Sequence, residues 1–372
     1  MKKVLWMGLV LAFGLVIAGE AIGAEKKLLA PGDTWEERWN KVVNAAKKEG
    51  GVTLYTSYPS EFRIALSKGF KGKFGLDIEF VTGRGAEVRE KLFRERQSGL
   101  YLADIYMMGP SNPSLSEMPG TVFDPIPPVL ILPEVVDGKV WTGGKMTFGD
   151  VRGEYVVFFA LTPYSFITTN TNLVKPQELQ SLQDLLNPKY KGKIVMGDPS
   201  TTGAGMEWFG TVVNLFGGMD FMKNLAKQEP VITRDERLAA EWVAKEKYAI
   251  LIGIKPAMVN EFIKMGAPVD WAVVKETWLS SQEATVALIN RAAHPEASKV
   301  FLNWLLSKEG QTLFSNVSGL QSARVDVDAS HIPKGAVRDP GKQYIVSADA
   351  PFWARQKAYA DMAREVFKEF QK

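Results

Sequence analysis

Cysteine is absent from the 372 residues, and histidine occurs only twice. Without cysteine there can be no disulfide, no thiol nucleophile, no lipid-bearing N-terminal cysteine, and no zinc or iron–sulfur site built on thiolates. With His294 and His331 alone, the familiar nucleophile–imidazole arrangements have almost no general base to draw on. Neither sign of charge dominates: 45 Lys and Arg face 42 Asp and Glu, a formal net charge of +3. That balance lacks the clustered basic excess of a nucleic-acid-binding protein. A run apolar enough to span a bilayer is missing too. About twenty such residues are needed, and the stretch from Val4 to Ala18 is cut short by Glu20.

What is present at the N-terminus is a different pattern. Lys2 and Lys3 precede the apolar stretch, and Gly19, Ala21, Gly23 and Ala24 follow it. A short cationic segment, a short apolar core and small residues read as a secretory signal peptide, residues 1–24, cleaved between Ala21 and Ala24. The alternative is a retained anchor. The remaining length exceeds that of a usual single domain, and 46% hydrophobic against 23% charged residues is ordinary for a folded chain, so two lobes are expected.

Along the chain, Thr34 and Glu37 form a Thr-x-x-Glu capping box for a helix whose apolar face is Trp39, Val42, Val43 and Ala46, ended by Gly50 and Gly51. Val52–Thr56 reads as a strand, followed by a Ser-Tyr-Pro turn and a helix through Phe62, Leu66 and Phe70. The unit recurs: a strand at Ile78–Val81, a tight loop at 82–85, a helix face at Val88, Leu92 and Phe93, and a buried strand at Ala103–Met108. Strand, loop, helix, strand signals an α/β fold with a parallel sheet, whose ligands bind at the carboxyl ends of the strands. Pro110–Pro133, rich in Pro, Ser and Gly, is expected to wander over the surface. Strands are expected within Tyr155–Leu161 and Phe166–Thr169, and a second α/β unit follows. It has strands at Ile194–Met196 and Tyr248–Ile252, and helices carrying Trp208–Phe216 and Leu238–Val243. Tyr359, Met362, Ala363, Val366, Phe367 and Phe370 recur at helical spacing near the C-terminus, which suits packing on a lobe or, alternatively, on a partner.

Three stretches carry a resemblance. Trp35–Ser57, ending AAKKEGGVTLYTS, is similar to the start of mature family-1 extracellular solute-binding proteins, the group that includes the ferric-ion-binding proteins. LLNPKYKGKIVMGDPS, Leu185–Ser200, resembles that family's entry to the second lobe, and AAHPEASKVFLNWLLSKEGQ, Ala292–Gln311, its late helix pair. The resemblance implies a type II periplasmic-binding fold, two α/β lobes joined by two hinge-crossing strands. By it, residues 28–153 and 278–328 form lobe one, 154–277 lobe two, and 329–372 a C-terminal segment closing in a helix. It further implies a monomeric periplasmic protein of an ABC importer, partnered by a small-molecule solute and by permease and ATPase subunits. No catalytic residue, cofactor or metal is expected.

The candidate ligand-binding residues cluster in the predicted strand-end loops. Thr201, Thr202, Gly203 and Ala204 precede a helix, where free N–H groups and the positive end of the helix dipole suit an anion. The same sequence is also an ordinary N-cap turn. Gly83, Arg84 and Gly85 open another helix, and Arg84 can present a forked cation. Ser57, Tyr58 and Gly109 end the neighbouring strands; Arg234 and Lys255 add charge, and Tyr164 is either a cleft wall or a hinge packing residue. A carboxylate, phosphonate or phosphate is the expected ligand. Ferric iron is the alternative, but the iron-binding relatives carry adjacent tyrosines where this chain has Ile254-Lys255-Pro256, and a lysine opposes a cation. An enzyme on the same scaffold stays open only through carboxylate pairs, since acidic residues are plentiful.

Overall fold

A computed structural model describes residues 32–281, 284–332 and 336–368. The expected signal segment and Phe370 lie outside the described residues. The first helix, α1 (Trp35–Glu49), opens on the expected reciprocal cap: Glu37 N donates to Thr34 Oγ1 at 3.3 Å, and Thr34 N to Glu37 Oε2 at 2.8 Å. It stops at Gly50, which turns left-handed and returns its N–H to Ala46 O. β1 (Gly51–Thr56), α2 (Ser60–Phe74), β2 (Asp77–Thr82), α3 (Gly85–Gln97) and β3 (Ile105–Met107) then alternate. β2, β1 and β3 pair in parallel in that spatial order. On the helix side, Phe62, Leu66, Phe70 and Phe74 of α2 are buried four residues apart, the spacing that places them on one face.

The sheet is completed by antiparallel strands. β13 (Thr285–Ile289) pairs with β3, with the short β4 (Phe123–Asp124) and with β5 (Val156–Phe158). The Pro-rich stretch before β5 corrects the sequence reading. Leu115, Met118, Phe123 and Ile126 are fully buried, so Pro110–Pro133 pads the core instead of crossing the surface. Apolar residues set between prolines carry no helix or strand period, but they still lose their water on folding. The lobe boundary expected at 153 also falls short, because β5 belongs to the first sheet.

The second sheet has the order β11-β7-β10-β8-β9. β8 (Ile194–Gly197), β9 (Val231–Thr233) and β10 (Ile250–Ile252) are mutually parallel, while β7 (Ile167–Asn170) and β11 (Val269–Trp271) run against them. Its helices are α4 (Ala204–Leu215), α5 (Gly218–Ala226), α6 (Glu236–Ala244) and α7 (Pro256–Lys264). Between the sheets the chain crosses twice, as β6 (Thr162–Tyr164) and β12 (Trp278–Ser280), which pair antiparallel in a ladder of their own. This is the two-lobed α/β architecture of the type II periplasmic-binding fold.

The remaining helices close the two outer layers. α8 (Pro295–Leu306) packs on α1 and α9 (Lys308–Ser318) on α2, with Phe70 against Trp304 at 5.3 Å between ring centroids. The C-terminal segment touches both lobes. Ile345 and Ser347 hydrogen-bond to Leu279 of β12, Ala350 N donates to Gly149 O of the first lobe, and α10 (Gln356–Phe367) packs on α4 and α5 of the second.

Candidate functional site

In a parallel sheet the register decides which loops emerge together. Thr56 stands beside both Thr82 and Met107, so the chain leaves β1, β2 and β3 at one edge, at Ser57, Gly83 and Met108. Thr285 Oγ1 donates to Met108 O at 2.6 Å and pins that edge to β13. Arg84 is the N-cap of α3, with an exposed side chain that makes no ion pair among the described residues. Its backbone N–H is taken by Glu87 Oε2 at 3.1 Å, so a carboxylate already covers part of this helix start. Gly85 lies beside Met108. Gly109 and Ser57 are half-buried at the rim, whereas Tyr58 turns inward. Its ring stacks on Phe62 at 4.4 Å and meets Phe314 edge-on at 6.4 Å, which makes it a core residue.

The second lobe repeats the device. Gly197 pairs with Thr233 and Met196 with Ile252, so Asp198, Arg234 and Gly253 leave the sheet side by side. Asp198 organises the first loop: Oδ1 accepts from Ser200 N at 2.8 Å and from Ser200 Oγ at 2.6 Å. Its Oδ2 accepts from Arg234 Nε at 2.9 Å. Burial alone raises a carboxyl, but the Ser200 and Arg234 hydrogen bonds outweigh it and hold Asp198 below its usual range. Arg234 thus pairs with Asp198 through Nε, while its side chain stays largely exposed. Lys255 is the exposed N-cap of α7.

α4 begins without a side-chain cap. Its first helical hydrogen bond runs from Glu207 N to Gly203 O at 3.0 Å, which leaves the N–H groups of Ala204, Gly205 and Met206 without helical acceptors. Gly203 sits at φ 154°, ψ −168°, a region open essentially to glycine alone. Thr201 is half-buried and Thr202 exposed beside it. Three glycines set this helix start against the sheet. A Cβ on Gly205 would lie 2.6 Å from Gly197 O, and one on Gly253 would lie 2.8 Å from Gly205 Cα. Only bare backbone fits between the ends of β8 and β10 and the first turn of α4. No local sequence pattern signals this contact, which depends on how β8, β10 and α4 come together.

At the crossover, Tyr164 pairs with Trp278 and is almost wholly buried. Its ring meets Phe166 at 5.4 Å and Trp271 at 5.2 Å, and burial pushes its phenol pKa up. Of the two roles considered for it, hinge packing is the one it adopts. Phe166 just beyond has φ 50° and accepts from Gly253 N at 2.8 Å, linking the crossover backbone to the rim of the second lobe. The histidines are elsewhere. His294 pairs through Nδ1 with Asp104 at 2.7 Å, before β3 and so at the far end of the sheet, and His331 contacts Ser315. Among the described residues no three His, Asp or Glu side chains gather as a cation site, and no helix is long and apolar enough to cross a membrane.

Comparison with known proteins agrees with this architecture. Residues 147–316 match the family described as bacterial extracellular solute-binding protein. The substrate-binding protein of an ABC transporter from Agrobacterium tumefaciens superposes with a TM-score of 0.66 at 13% identity, covering 85% of this chain and 94% of its own. Iron-bound HitA from Pseudomonas aeruginosa gives 0.62 at 18%, covering 85% and 99%. The periplasmic binding protein AfuA from Actinobacillus pleuropneumoniae, with fructose-6-phosphate bound, gives 0.56 at 20%, covering 86% and 97%. At these identities the likeness to the solved structures is one of fold. The resemblance to extracellular solute-binding proteins drawn from the sequence is borne out.

Proposed function

We propose that this chain is the periplasmic solute-binding component of an ABC importer, and that it holds a small carboxylate-, phosphonate- or phosphate-bearing solute between its lobes. The observation that carries the reading is the uncapped start of α4, with three N–H groups lacking helical acceptors beside Thr201 and Thr202. Backbone donors and the helix dipole favour an anion there without a side chain having to be ordered. Arg84 on the rim of the other lobe supplies a cation, and an anion bridging the two stabilises the closed form by its greater affinity for that form. The closed protein then docks, as a monomer, on permease subunits driven by an ATPase. No residue in the site has a catalytic role in this reading.

A phosphate-bearing solute in a protein of the same fold supports the anion, and an iron-bound neighbour supports the alternative of ferric iron. Against iron, the chain after Gly253 enters α7 with Lys255 as its cap and no tyrosine. The deciding experiment is thermal unfolding of the mature protein against carboxylates, phosphonates, phosphates, sugars and ferric salts. A native-state binder at a hundredfold excess over Kd adds about 2.7 kcal/mol of stability. A shift confined to one anion class, reduced at least tenfold in apparent affinity by Arg84→Ala, is the expected result. A shift with ferric salts alone would replace the anion by iron, and an Arg84→Ala variant with unchanged affinity would move the site elsewhere.

A further inference from the structure

A cavity of about 920 Å³ lies away from every strand-end loop. Leu279 of the crossover ladder and Leu161, just before β6, give it an apolar floor, and the C-terminal segment adds Tyr344. Three cations stand around it, Lys145 from the first lobe and Arg338 and Lys342 from the C-terminal segment, against the single acid Asp339. None of the three forms an ion pair with a described residue. Among the described residues the Arg338 guanidinium donates only to backbone carbonyls, those of Leu161 and of Ser322 (2.7 Å) and, more distantly, Arg324 (3.4 Å). Lys342 Nζ reaches Lys275 O at 3.0 Å and Thr277 Oγ1 at 2.8 Å. Asp339 folds onto Gly341 N at 2.8 Å.

Carbonyls satisfy the hydrogen bonds of a guanidinium but leave its charge standing. Burial of Arg338, which forms no ion pair with a described carboxylate, pushes its pKa down to about 10. The cavity therefore combines an apolar floor with a cationic wall, at a volume within the usual range of about 300–1,000 Å³ for small-molecule sites.

We propose that this cavity behind the hinge ladder is a second ligand site, for a small amphipathic anion whose apolar body lies on Leu161 and Leu279 and whose carboxylate or phosphate head meets Lys145, Arg338 and Lys342. Its occupant would touch the first lobe, the crossover strands and the C-terminal segment together.

Isothermal titration of the full mature chain tests this, with phenyl phosphate and octanoate as probes and inorganic phosphate as the control. Saturable binding of at least one probe is expected, at least tenfold tighter than inorganic phosphate. It should weaken at least tenfold in Lys145→Glu/Lys342→Glu, whose lysines are both exposed, and in the milder Lys145→Ala/Lys342→Ala should either of those reversals unfold the chain. No saturable binding, inorganic phosphate binding as tightly as the probes, or affinity unchanged by the lysine variants would overturn the proposal. Binding that falls with Arg84→Ala instead would assign the anion to the strand-end site and overturn it equally.

Discussion

Ser347 Oγ donates to Glu207 Oε1 at 2.8 Å, tying the C-terminal segment to the helix whose first turn forms the candidate anion site. Glu207 is buried one turn inside α4, and Ser280 of the crossover strand also hydrogen-bonds it. One carboxyl thus joins the second lobe, the hinge ladder and the C-terminal segment.

Desolvation raises the Glu207 pKa above its ordinary value of 4.5, further than its hydroxyl partners lower it. The native state therefore keeps this proton when the unfolded chain has lost it. The associated stability is fully present below pH 4.5 and declines as pH rises towards the folded value, by about 1.4 kcal/mol for each unit separating the two. Glu207→Gln keeps the shape and removes the titration. Relative to the parent, its melting temperature should rise as the pH climbs above 4.5 and level off once Glu207 has lost its proton in the fold. A difference independent of pH would mean that Glu207 titrates in the fold as it does in the unfolded chain.

The glycines separate two kinds of backbone demand. Gly72 is in the interior of α2, exposed, with open space where a Cβ would stand, so Gly72→Ala should stabilise the protein by about 0.5–1 kcal/mol. At Gly205 a Cβ would overlap Gly197 O, and overpacking of this kind costs about 1–3 kcal/mol. Gly205→Ala should therefore lower stability and also weaken anion binding, because it displaces the first turn of α4. Urea unfolding with a parallel ligand titration distinguishes the two variants. A Gly205→Ala protein that binds its solute as before would detach the site from this helix start.

Much of the framework is readable where one residue type has one local job. Thr34 with Glu37 announces the first helix, Gly50 ends it, and the strand–loop–helix rhythm identifies the α/β lobes. The crossover was not readable in the same way. β6 and β12 are three residues each, too short for an alternating pattern, and they pair across more than a hundred residues of chain. Arg234 illustrates the limit at the site. Its capture by Asp198 depends on β8 lying parallel beside β9, a register that neither loop encodes locally. Tyr58 shows the same at a single side chain, since the pocket its ring enters is completed, beside Phe62, by Phe314 on a distant helix.

Asp150 is an anion site that the chain fills for itself. Its Oδ1 accepts from Arg152 N at 3.0 Å and Gly153 N at 2.8 Å, and its Oδ2 from Tyr155 N at 3.0 Å and Val156 N at 2.9 Å. The carboxylate is nearly buried, and the loop it gathers delivers the chain into β5 and from there to the crossover. Asp150→Ala strands these donors at the start of β5. Leaving buried donors unmet costs about 1–3 kcal/mol each where water cannot replace the partner, so a loss of about 3 kcal/mol or more is expected. Asp150→Asn keeps one acceptor oxygen and should lose less. Both losses should appear in urea unfolding, together with faster amide exchange at Tyr155 and Val156. If Asp150→Ala unfolds at the parental urea concentration, water satisfies the loop and the carboxylate does not hold β5 in place.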